Sequence, residues 1–396
     1  MASGREVVVL SGVRTAIGDY GGALKEIPPT ELSAQVIREA IKRSKVDAKE
    51  VGACVLGNVI HTEARDMYFS RVAGLKGGLP DDSTALTVNR LCGSGMQAIV
   101  SASQMIILGD TDAAVGGGAE SMSRGGYLMP SLRWGQRMAD SSVVDMMVGA
   151  LTDPFDTVHM GITAENIADK WKISREQQDE FSVESHRRAV NAIEKGYFKE
   201  QILPIELKTR KGTTLFDRDE HARADASPES LAKLRAAFKK DGTVTAGNAS
   251  GINDGAAAVV LMERAAAEKK GLKPMARLVS YGLAGVDPKI MGIGPVPASK
   301  KALEKAGLKV EQMDVIESNE AFAVQALAVS CDLKLDPKKT NPNGGAVGLG
   351  HPIGATGAVL AVKALYELQR IGGKYALVTM CIGGGQGIAA VFERLQ

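Results

Sequence analysis

A cysteine flanked by glycines is the first candidate for chemistry in this sequence. Cys92 lies in the segment NRLCGSG, just before a helical pattern that we expect to begin near Ser94 or Gly95. Free backbone N–H groups and the positive end of a helix dipole favour a thiolate there, so we predict a lowered pKa and a nucleophilic sulfur. A free cysteine is more often a small core residue, but the glycines, which allow close substrate approach, favour the nucleophile.

A histidine, a second cysteine and an asparagine stand in similar contexts. His351 lies in GLGHPIGATG, before a helix expected near Ala355, and could act as the general base for a thiol. Cys381 lies in MCIGGGQG at the end of a strand-like run, where the N–H groups of the glycine turn could form an oxyanion hole. Asn319 and Glu320 open NEAFA after another strand, where polar side chains usually face a ligand crevice. Structural roles, such as a turn histidine or a core cysteine, are the alternatives.

These residues lie in two stretches of the chain that repeat each other. In each stretch a glycine-rich turn precedes a long apolar helix, a strand and a triple glycine, and the stretches end at Gly118 and Gly385. If the repeats pack about a pseudo-twofold axis, the helix starts that carry Cys92 and His351 face each other. Strands that alternate with helices predict an α/β fold with a mostly parallel sheet covered on both faces.

The repeat also exposes an insertion in its first copy. The strand expected after the triple glycine lies at residues 254–263, far downstream of Gly118. Within the insertion, Ser174–Gln177 (SREQ) predicts a capping box that opens a helix running to about Lys195. We therefore divide the chain into an N-terminal half, an inserted segment and a C-terminal half, with boundaries at 1–118 plus 246–271, 119–245, and 272–396.

Composition narrows the class of protein. Lys and Arg number 48 against 46 Asp and Glu, a formal net charge of +2, so we expect no nucleic-acid binding, which normally shows a basic excess. Long uninterrupted apolar runs and a signal-peptide pattern are absent, so we expect a soluble, cytoplasmic protein without membrane partners. The 4 cysteines are too scattered for a disulfide scaffold or a zinc ribbon, and no metal site is predicted.

Together these segments resemble the thiolase family. NRLCGSG, NEAFA, GGAVGLGHPIGATG and CIGGGQG occur in the family order, HMGITAEN and GNASGINDGAAAV add two further matches, and the resemblance covers essentially the whole chain. It is closest to short-chain biosynthetic members, the acetyl-CoA acetyltransferases and β-ketothiolases. The implied α/β thiolase fold has two pseudo-symmetric βαβαβαββ halves, packed as a five-layer α-β-α-β-α sandwich with an inserted loop domain.

The resemblance implies a role for each candidate. Cys92 would carry the acyl group as a thioester, His351 would activate it, and Cys381 would take the α-proton of a second acyl-CoA. His351 and Asn319, the latter through a water, would form one oxyanion site. The N–H groups of Cys92 and Gly383 would form the other. The implied reaction is a reversible Claisen condensation of two acetyl-CoA, or of acetyl-CoA and a short acyl-CoA, to a 3-ketoacyl-CoA and CoA.

The inserted segment resembles the loop domain that binds coenzyme A in this family. CoA thioesters are then substrates, and no resident cofactor is expected. Arg223 is the expected partner of the nucleotide end, and Ala224 follows it where many relatives have His or Pro. The stretch around Tyr127–Met138 resembles one used for tetramer assembly, which implies a homotetramer, a dimer of dimers. The residues implied in CoA and substrate binding are Leu151, His159, Met160, Arg223, Ser230, Ala246, Ser250, Ala321 and Phe322.

Three other functions remain open from the sequence. A degradative 3-ketoacyl-CoA thiolase of broader chain length would carry the same residues, so polyhydroxyalkanoate biosynthesis and fatty acid metabolism are both possible settings. A decarboxylating ketoacyl synthase shares the duplicated fold but uses one cysteine and two histidines, whereas the glycine turn here carries Cys381. A non-catalytic acyl-CoA or lipid-binding protein on this fold is the third, and the intact Cys92, His351 and Asn319 argue against it.

Overall fold

The chain folds as two similar halves that share one sheet. The computed structural model describes residues 4–209 and 212–396. Residues 1–3 and 210–211 of the predicted domains lie outside the described residues. Within the described ranges ten strands form one sheet, and helices cover both of its faces.

The first half alternates strands and helices, as its apolar runs predict. Its helix Pro29–Ser44 buries Leu32, Val36 and Ile37 on one face, has a proline at its first position and ends at Lys45, whose φ of 61° stops the helix. The elements of this half before the insertion are β1 (Val7–Arg14), β2 (Gly18–Asp19), α1 (Pro29–Ser44), β3 (Ala53–Gly57), α2 (Phe69–Lys76), β4 (Thr84–Val88), α3 (Ser94–Leu108) and β5 (Ala113–Ser121).

The inserted segment consists of short hairpins and helices. Ser174 and Gln177 form the predicted capping box, since each side chain bonds the backbone N–H of the other residue. A fully buried ion pair, Arg14 Nη1 to Asp219 Oδ1 at 2.7 Å, ties the segment to β1. Its elements are β6 (Tyr127–Leu128), β7 (Val144–Asp145), α4 (Met146–Ala150), β8 (Thr152–Asp153), β9 (Val158–His159), α5 (Met160–Trp171), α6 (Arg175–Glu194), β10 (Ile205–Thr209), β11 (Gly212–Phe216) and α7 (Pro228–Ala232).

The rest of the chain completes the first half and builds the second. The strand predicted at residues 254–263 is present and begins one residue earlier, and the helix expected near Ala355 begins at Ile353. The elements are β12 (Asn253–Glu263), α8 (Arg264–Lys269), β13 (Ala276–Gly285), α9 (Pro295–Ala306), β14 (Val315–Ser318), α10 (Ala323–Leu333), α11 (Ala346–Leu349), α12 (Ile353–Ile371), β15 (Tyr375–Ile382) and β16 (Gln386–Arg394).

The sheet shows the pseudo-symmetry directly. Its strand order is β14-β15-β16-β13-β1-β12-β5-β3-β4, so the first half contributes β1-β12-β5-β3-β4 and the second contributes β13-β16-β15-β14 in the mirrored order. The halves join through a short pairing of β1 with β13. An isolated parallel bridge between Ile316 and Thr340 occupies the place that β4 holds in the first half. The predicted pair of βαβαβαββ halves is therefore confirmed.

Strand direction differs from the expectation of a mostly parallel sheet. The pairs β3–β4, β3–β5 and β14–β15 are parallel, whereas β1, β12, β13 and β16 pair antiparallel with their neighbours. In the second half a short turn joins β15 to β16, and strands joined in this way pair antiparallel. In the first half β5 and β12 pair in the same way, although the inserted segment connects them. The sheet is mixed for this reason.

The first triple glycine is not a turn. Gly116–Gly118 lies inside β5, which continues to Ser121 and pairs there with Asp254 of β12. A Cβ on Gly116 would lie 2.9 Å from the Cα of Ile99 in α3, so the glycines allow the helix to lie close against the strand. The connection between β5 and β12 comprises residues 122–252, whereas the predicted insertion comprises residues 119–245.

Two long helices form the middle of the molecule. α3 packs on β3 and β5, α12 packs on β5, β12 and β15, and the helices contact each other between the two halves of the sheet. α1 and α9 cover the outer faces of the first and second halves, which gives the predicted five layers. The segment of residues 91–108 is long and apolar enough to span a membrane, with a mean hydropathy of 1.4. Most of it is α3, one of the two helices in the middle of the molecule.

Candidate active site

Cys92 lies in a tight turn that leads from β4 into α3. The Ser94 hydroxyl closes this turn, because its Oγ accepts the Arg90 N–H at 2.8 Å and donates to the Leu91 carbonyl at 2.6 Å. The strained backbone is at Leu91, with φ of 44°, and not at a glycine. Gly93 caps the helix, and a Cβ there would lie 2.6 Å from the side chain of Ile382. The missing Cβ lets the turn rest on the end of β15.

Two backbone N–H groups, that of Gly383 and that of Cys92 itself, act on the Cys92 sulfur and lower its pKa. Burial is the larger influence and raises the pKa of Cys92 to about 11, and the charge of Glu120 acts in the same direction. The expectation of a lowered pKa at this helix start is therefore wrong for the resting state, because desolvation outweighs the two N–H donors. At neutral pH Cys92 is a thiol that needs a base.

Cys381 is the neighbour of Cys92. It lies at the end of β15, fully buried, and burial together with the charge of Cys92 raises its pKa. A Cβ at Gly383 would lie 2.6 Å from Cε of Met160, so the inserted segment closes over the glycine turn. Asn319 follows the parallel neighbour strand β14, whose Ser318 pairs with Thr379 of β15, and so emerges at the same edge of the sheet.

His351 presents an unprotonated ring nitrogen to the site. Its Nδ1 lies 2.6 Å from Thr356 Oγ1, and Thr356 Oγ1 in turn donates its one proton to the Pro352 carbonyl at 2.9 Å. Thr356 must therefore accept a proton from Nδ1–H, which leaves the lone pair on Nε2. Burial lowers the pKa of His351 to about 4, so the ring is neutral at physiological pH.

Asn319 lies beside that nitrogen. Its Nδ2 is 3.4 Å from His351 Nε2, a long contact, and its buried Oδ1 has no hydrogen-bond partner within the described residues. Buried amides are normally paired, so an unpaired one next to a histidine marks a place for a polar group of a ligand or for a water. The predicted pair of Asn319 and His351 is thus brought together.

A cavity of about 490 Å³ leads to His351. Met122 and Ile353 line it and also belong to the apolar cluster that Cys92 packs against, so the cavity reaches the surroundings of Cys92. His159 stacks on Phe238 with ring centroids 4.4 Å apart, and Phe238 meets Phe322 edge-on at 6.2 Å. The residues that the sequence predicts for substrate binding and that line the cavity are Leu151, His159, Arg223, Ala246, Ser250 and Phe322.

Three predicted residues lie at the margins of this cavity. Ser230 lines an adjoining cavity of about 310 Å³ that shares Arg223 with the first. Met160 and Ala321 lie in the apolar cluster that contains Cys381. The Ala321 carbonyl accepts the Ser250 N–H at 3.0 Å and so fixes the cavity wall.

Sequence reasoning missed several residues of the site. Asp19, His221 and Phe238 line the cavity, and Asn253 and Thr356 hold His351. Asn253 lies in the GNASGINDGAAAV segment, which resembles the family, but nothing in that segment singles out Asn253. No local pattern marks the others, because their role depends on chain segments that meet only in the fold.

Buried carboxylates hold the loops around the site. Glu120 accepts N–H bonds from Val59 and Ile60 at 3.1 and 3.0 Å and from Gly354 at 2.9 Å, which joins the two halves at the start of α12. Burial raises its pKa to about 8. Glu320, a candidate from its position after β14, instead bonds Ser185 Oγ at 2.6 Å and is structural.

The site thus contains the half-buried Cys92, the fully buried Cys381 and the neutral His351. The sequence of the chain also matches a known family. The family model "Thiolase, N-terminal domain" matches residues 7–265, and "Thiolase, C-terminal domain" matches residues 272–394. The chain belongs to the thiolase family. The inserted segment lies wholly within the N-terminal match.

Relatives and solved structures agree over the full length. The chain is 66% identical over 392 residues to beta-ketothiolase BktB of Cupriavidus necator, covering 99% of this chain and 100% of that protein. It is 48% identical to the acetyl-CoA acetyltransferase of Bacillus anthracis, whose crystal structure has a TM-score of 0.97 with full coverage of both chains. Human mitochondrial 3-ketoacyl-CoA thiolase is 46% identical with a TM-score of 0.97, covering 99% of each chain.

Proposed function

We propose that this thiolase is an acyl-CoA C-acyltransferase that condenses two acetyl-CoA, or acetyl-CoA and a short acyl-CoA, reversibly to a 3-ketoacyl-CoA and CoA. The observation that carries the proposal is the placement of the Cys92 sulfur under the N–H groups of Cys92 and Gly383, beside Cys381. Two thiols at one oxyanion site fit a reaction in which one thiol carries the acyl group covalently and the other removes a proton from carbon.

In the first half-reaction Cys92 is acylated. His351 Nε2 takes the Cys92 proton, the sulfur attacks the thioester carbonyl, and the C–S bond to CoA breaks. The N–H groups of Cys92 and Gly383 stabilise the oxyanion of this step. The departing CoA sulfur takes a proton from Cys381, or receives the first one back from His351. The former route leaves Cys381 as the thiolate and His351 protonated.

In the second half-reaction the carbon–carbon bond forms. The Cys381 thiolate removes the α-proton of the second acyl-CoA, and its raised pKa makes it a strong base for this weak carbon acid. His351 and Asn319, the latter through a water, stabilise the enolate oxygen. The enolate attacks the acyl-Cys92 carbonyl, Cys92 leaves and recovers its proton from His351. Protons and thiols return to the starting state.

The described cavity is the proposed channel for the acyl-CoA. Arg223 would meet the nucleotide end, and the stacked His159 and Phe238 would flank the pantetheine arm beside Leu151. In this account CoA thioesters are substrates and no resident cofactor takes part. A preference for acetyl groups is supported by the 48% identity to proteins named acetyl-CoA acetyltransferase. A broader degradative specificity is supported by the 46% identity to a 3-ketoacyl-CoA thiolase.

A cytoplasmic homotetramer, a dimer of dimers, is the proposed working form. Trp134 and Met138 are 88% and 87% exposed in the segment predicted for assembly, a large apolar surface for an isolated chain. β4 is an edge strand whose Leu86 is half exposed, and exposed edges of this kind pair readily with another chain. These two surfaces lie on different elements, as a dimer of dimers requires.

Incubation with acetyl-CoA alone tests the function. We expect free CoA and acetoacetyl-CoA to form in equal amounts, without a malonyl donor. Product from malonyl thioesters but not from acetyl-CoA would overturn the proposal in favour of a decarboxylating synthase. A kcat/KM series over 3-ketoacyl-CoAs of increasing length, assayed in the cleavage direction, separates the short-chain enzyme from the broad degradative one.

A further inference from the structure

A chain of hydrogen bonds runs from the cavity wall to the backbone of His351. His221 Nδ1 lies 2.6 Å from Asp19 Oδ1, and the same oxygen accepts Asn253 Nδ2 at 3.1 Å. Asn253 Oδ1 accepts the His351 N–H at 2.8 Å. His221 lines the cavity beside Arg223, so the chain joins the substrate channel to the general base. His221, Asp19 and Asn253 exchange no proton in the condensation described above.

The surroundings of Asn253 fix the orientation of its amide. The residue is fully buried at the start of β12, and its Nδ2 faces two acceptors, the Gly18 carbonyl at 3.1 Å and the Asp19 carboxylate. Its oxygen faces a donor, the His351 N–H. A flipped amide would put oxygen against two acceptors and nitrogen against a donor. Asn is thus the residue type that satisfies all three partners.

Two glycines make room for this arrangement. Gly350 has φ of 104°, and a Cβ there would lie between 2.5 and 2.7 Å from the amide atoms of Asn253. A Cβ on Gly251 would lie 2.5 Å from Cε1 of His221 and 2.8 Å from Asn253 Oδ1. Side chains at these positions would block both the amide and the histidine, so the glycines permit the close approach.

We propose that Asn253 is a positioning residue for His351, anchored from the cavity wall by the Asp19–His221 pair. Pro352, with φ of −67°, follows His351 and leaves the turn little freedom. The bond from the His351 N–H therefore determines where the imidazole lies. The inference rests on the proposed condensation. The hydrogen bond from His221, with further stabilisation from nearby cations, lowers the pKa of Asp19 and keeps it an ionised acceptor.

The substitution N253D tests the proposal. It keeps an acceptor for the His351 N–H but places a carboxylate oxygen against Gly18 O and the Asp19 carboxylate. In rapid-quench experiments with acetyl-CoA, we expect the saturating rate constant for Cys92 acetylation to fall about 10- to 100-fold. We expect the half-saturating concentration to change less than about threefold, because displacement of a catalytic group costs rate rather than binding.

A second substitution and a matched control separate positioning from stability. Adding D19N to N253D supplies an amide donor opposite the new carboxylate, and we expect part of the lost rate to return. N343D makes the same change in another buried amide, whose Nδ2 donates to Glu367 at 2.8 Å far along α12, and should leave acetylation unchanged. If N253D does not fold, H221A removes the anchor from the partly exposed end, and the saturating rate should fall about 2- to 10-fold.

The outcomes are distinguishable. A folded N253D that acetylates Cys92 at the wild-type rate overturns the proposal, and so does a double variant no faster than N253D. In the fallback, a saturating rate that H221A leaves unchanged overturns it as well. Absence of acetyl-Cys92 in the wild-type protein overturns the proposed function itself, and the positioning role of Asn253 with it.

Discussion

At the scale of single residues, the protonation of the two thiols follows from burial. Cys92 lies at the start of α3, where the helix dipole favours a thiolate, yet burial raises its pKa to about 11. Cys381 is more deeply buried than Cys92, and the neighbouring Cys92 also raises its pKa. Both are therefore thiols at rest, and the neutral His351 is the proposed base that deprotonates Cys92.

The pH dependence of alkylation checks the state of Cys92. A raised pKa means that the thiolate fraction is small below pH 11 and grows with pH. We expect the rate of Cys92 carboxamidomethylation to rise about tenfold per pH unit between about pH 7 and pH 10. Peptide mapping separates Cys92 from Cys331, which is exposed and serves as the internal reference for reagent access. A plateau reached near neutral pH would contradict the raised pKa.

Thr356 is the second residue-scale test. Its Oγ1 accepts Nδ1–H of His351 at 2.6 Å and so holds the tautomer with a free Nε2. T356V leaves a buried N–H without a partner, which costs about 1–3 kcal/mol, and we expect the acetylation of Cys92 to slow about 10- to 100-fold. T356S keeps the hydroxyl and should stay near the wild-type rate. Equal rates for the two variants would remove Thr356 from the account.

At the scale of elements, the sequence predicts most of what builds the site. Periodicity locates α1, α3 and α12, and the duplicated glycine turns bring Cys92 and His351 to facing helix starts. The sequence does not show that Gly116–Gly118 belongs to β5, because a glycine run can form a turn or lie flat beneath a helix. The roles of Asp19, His221 and Asn253 need the folded chain, since these residues are far apart in sequence.

The crossing of α3 and α12 depends on a glycine that can be tested. A Cβ on Gly95 would lie 2.7 Å from the Ala358 N, a backbone atom that cannot move aside. We expect G95A to lower the free energy of unfolding by about 1–3 kcal/mol, measured by denaturant titration. G149A, where a Cβ would meet nothing within 4 Å in the helix α4, should change it by no more than about 1 kcal/mol. Equal effects would show that the crossing is not this tight.

At the scale of the whole molecule, the two halves have the same architecture but contribute different residues to the site. The first half carries Cys92, the proposed nucleophile, and the inserted wall of the cavity, and the second carries Asn319, His351 and Cys381. Glu120 holds the two halves together by accepting N–H groups from both. The reaction centre therefore forms only when the halves are docked, which is why no single segment of the sequence contains it.

Assembly is the prediction at this scale. The exposed apolar residues Trp134 and Met138 lie far from Cys92 in sequence and outside the cavity. We expect W134E/M138E to convert a tetramer into a dimer in light scattering coupled to gel filtration. Lys170, on the exposed end of α5, offers a control charge change, K170E. An unchanged mass for the double variant would place the tetramer contact elsewhere.

Detection of acetylated Cys92 tests the proposed mechanism more directly than any other measurement. Wild type, C92S and C381S are each mixed with acetyl-CoA, quenched in acid and mapped by mass spectrometry. We expect one acetyl group on Cys92 in wild type and in C381S, none in C92S, and condensation by C381S at least about 100-fold slower than in wild type. Acetylation at another residue, no acetylation at all, or full condensation by C381S would contradict it.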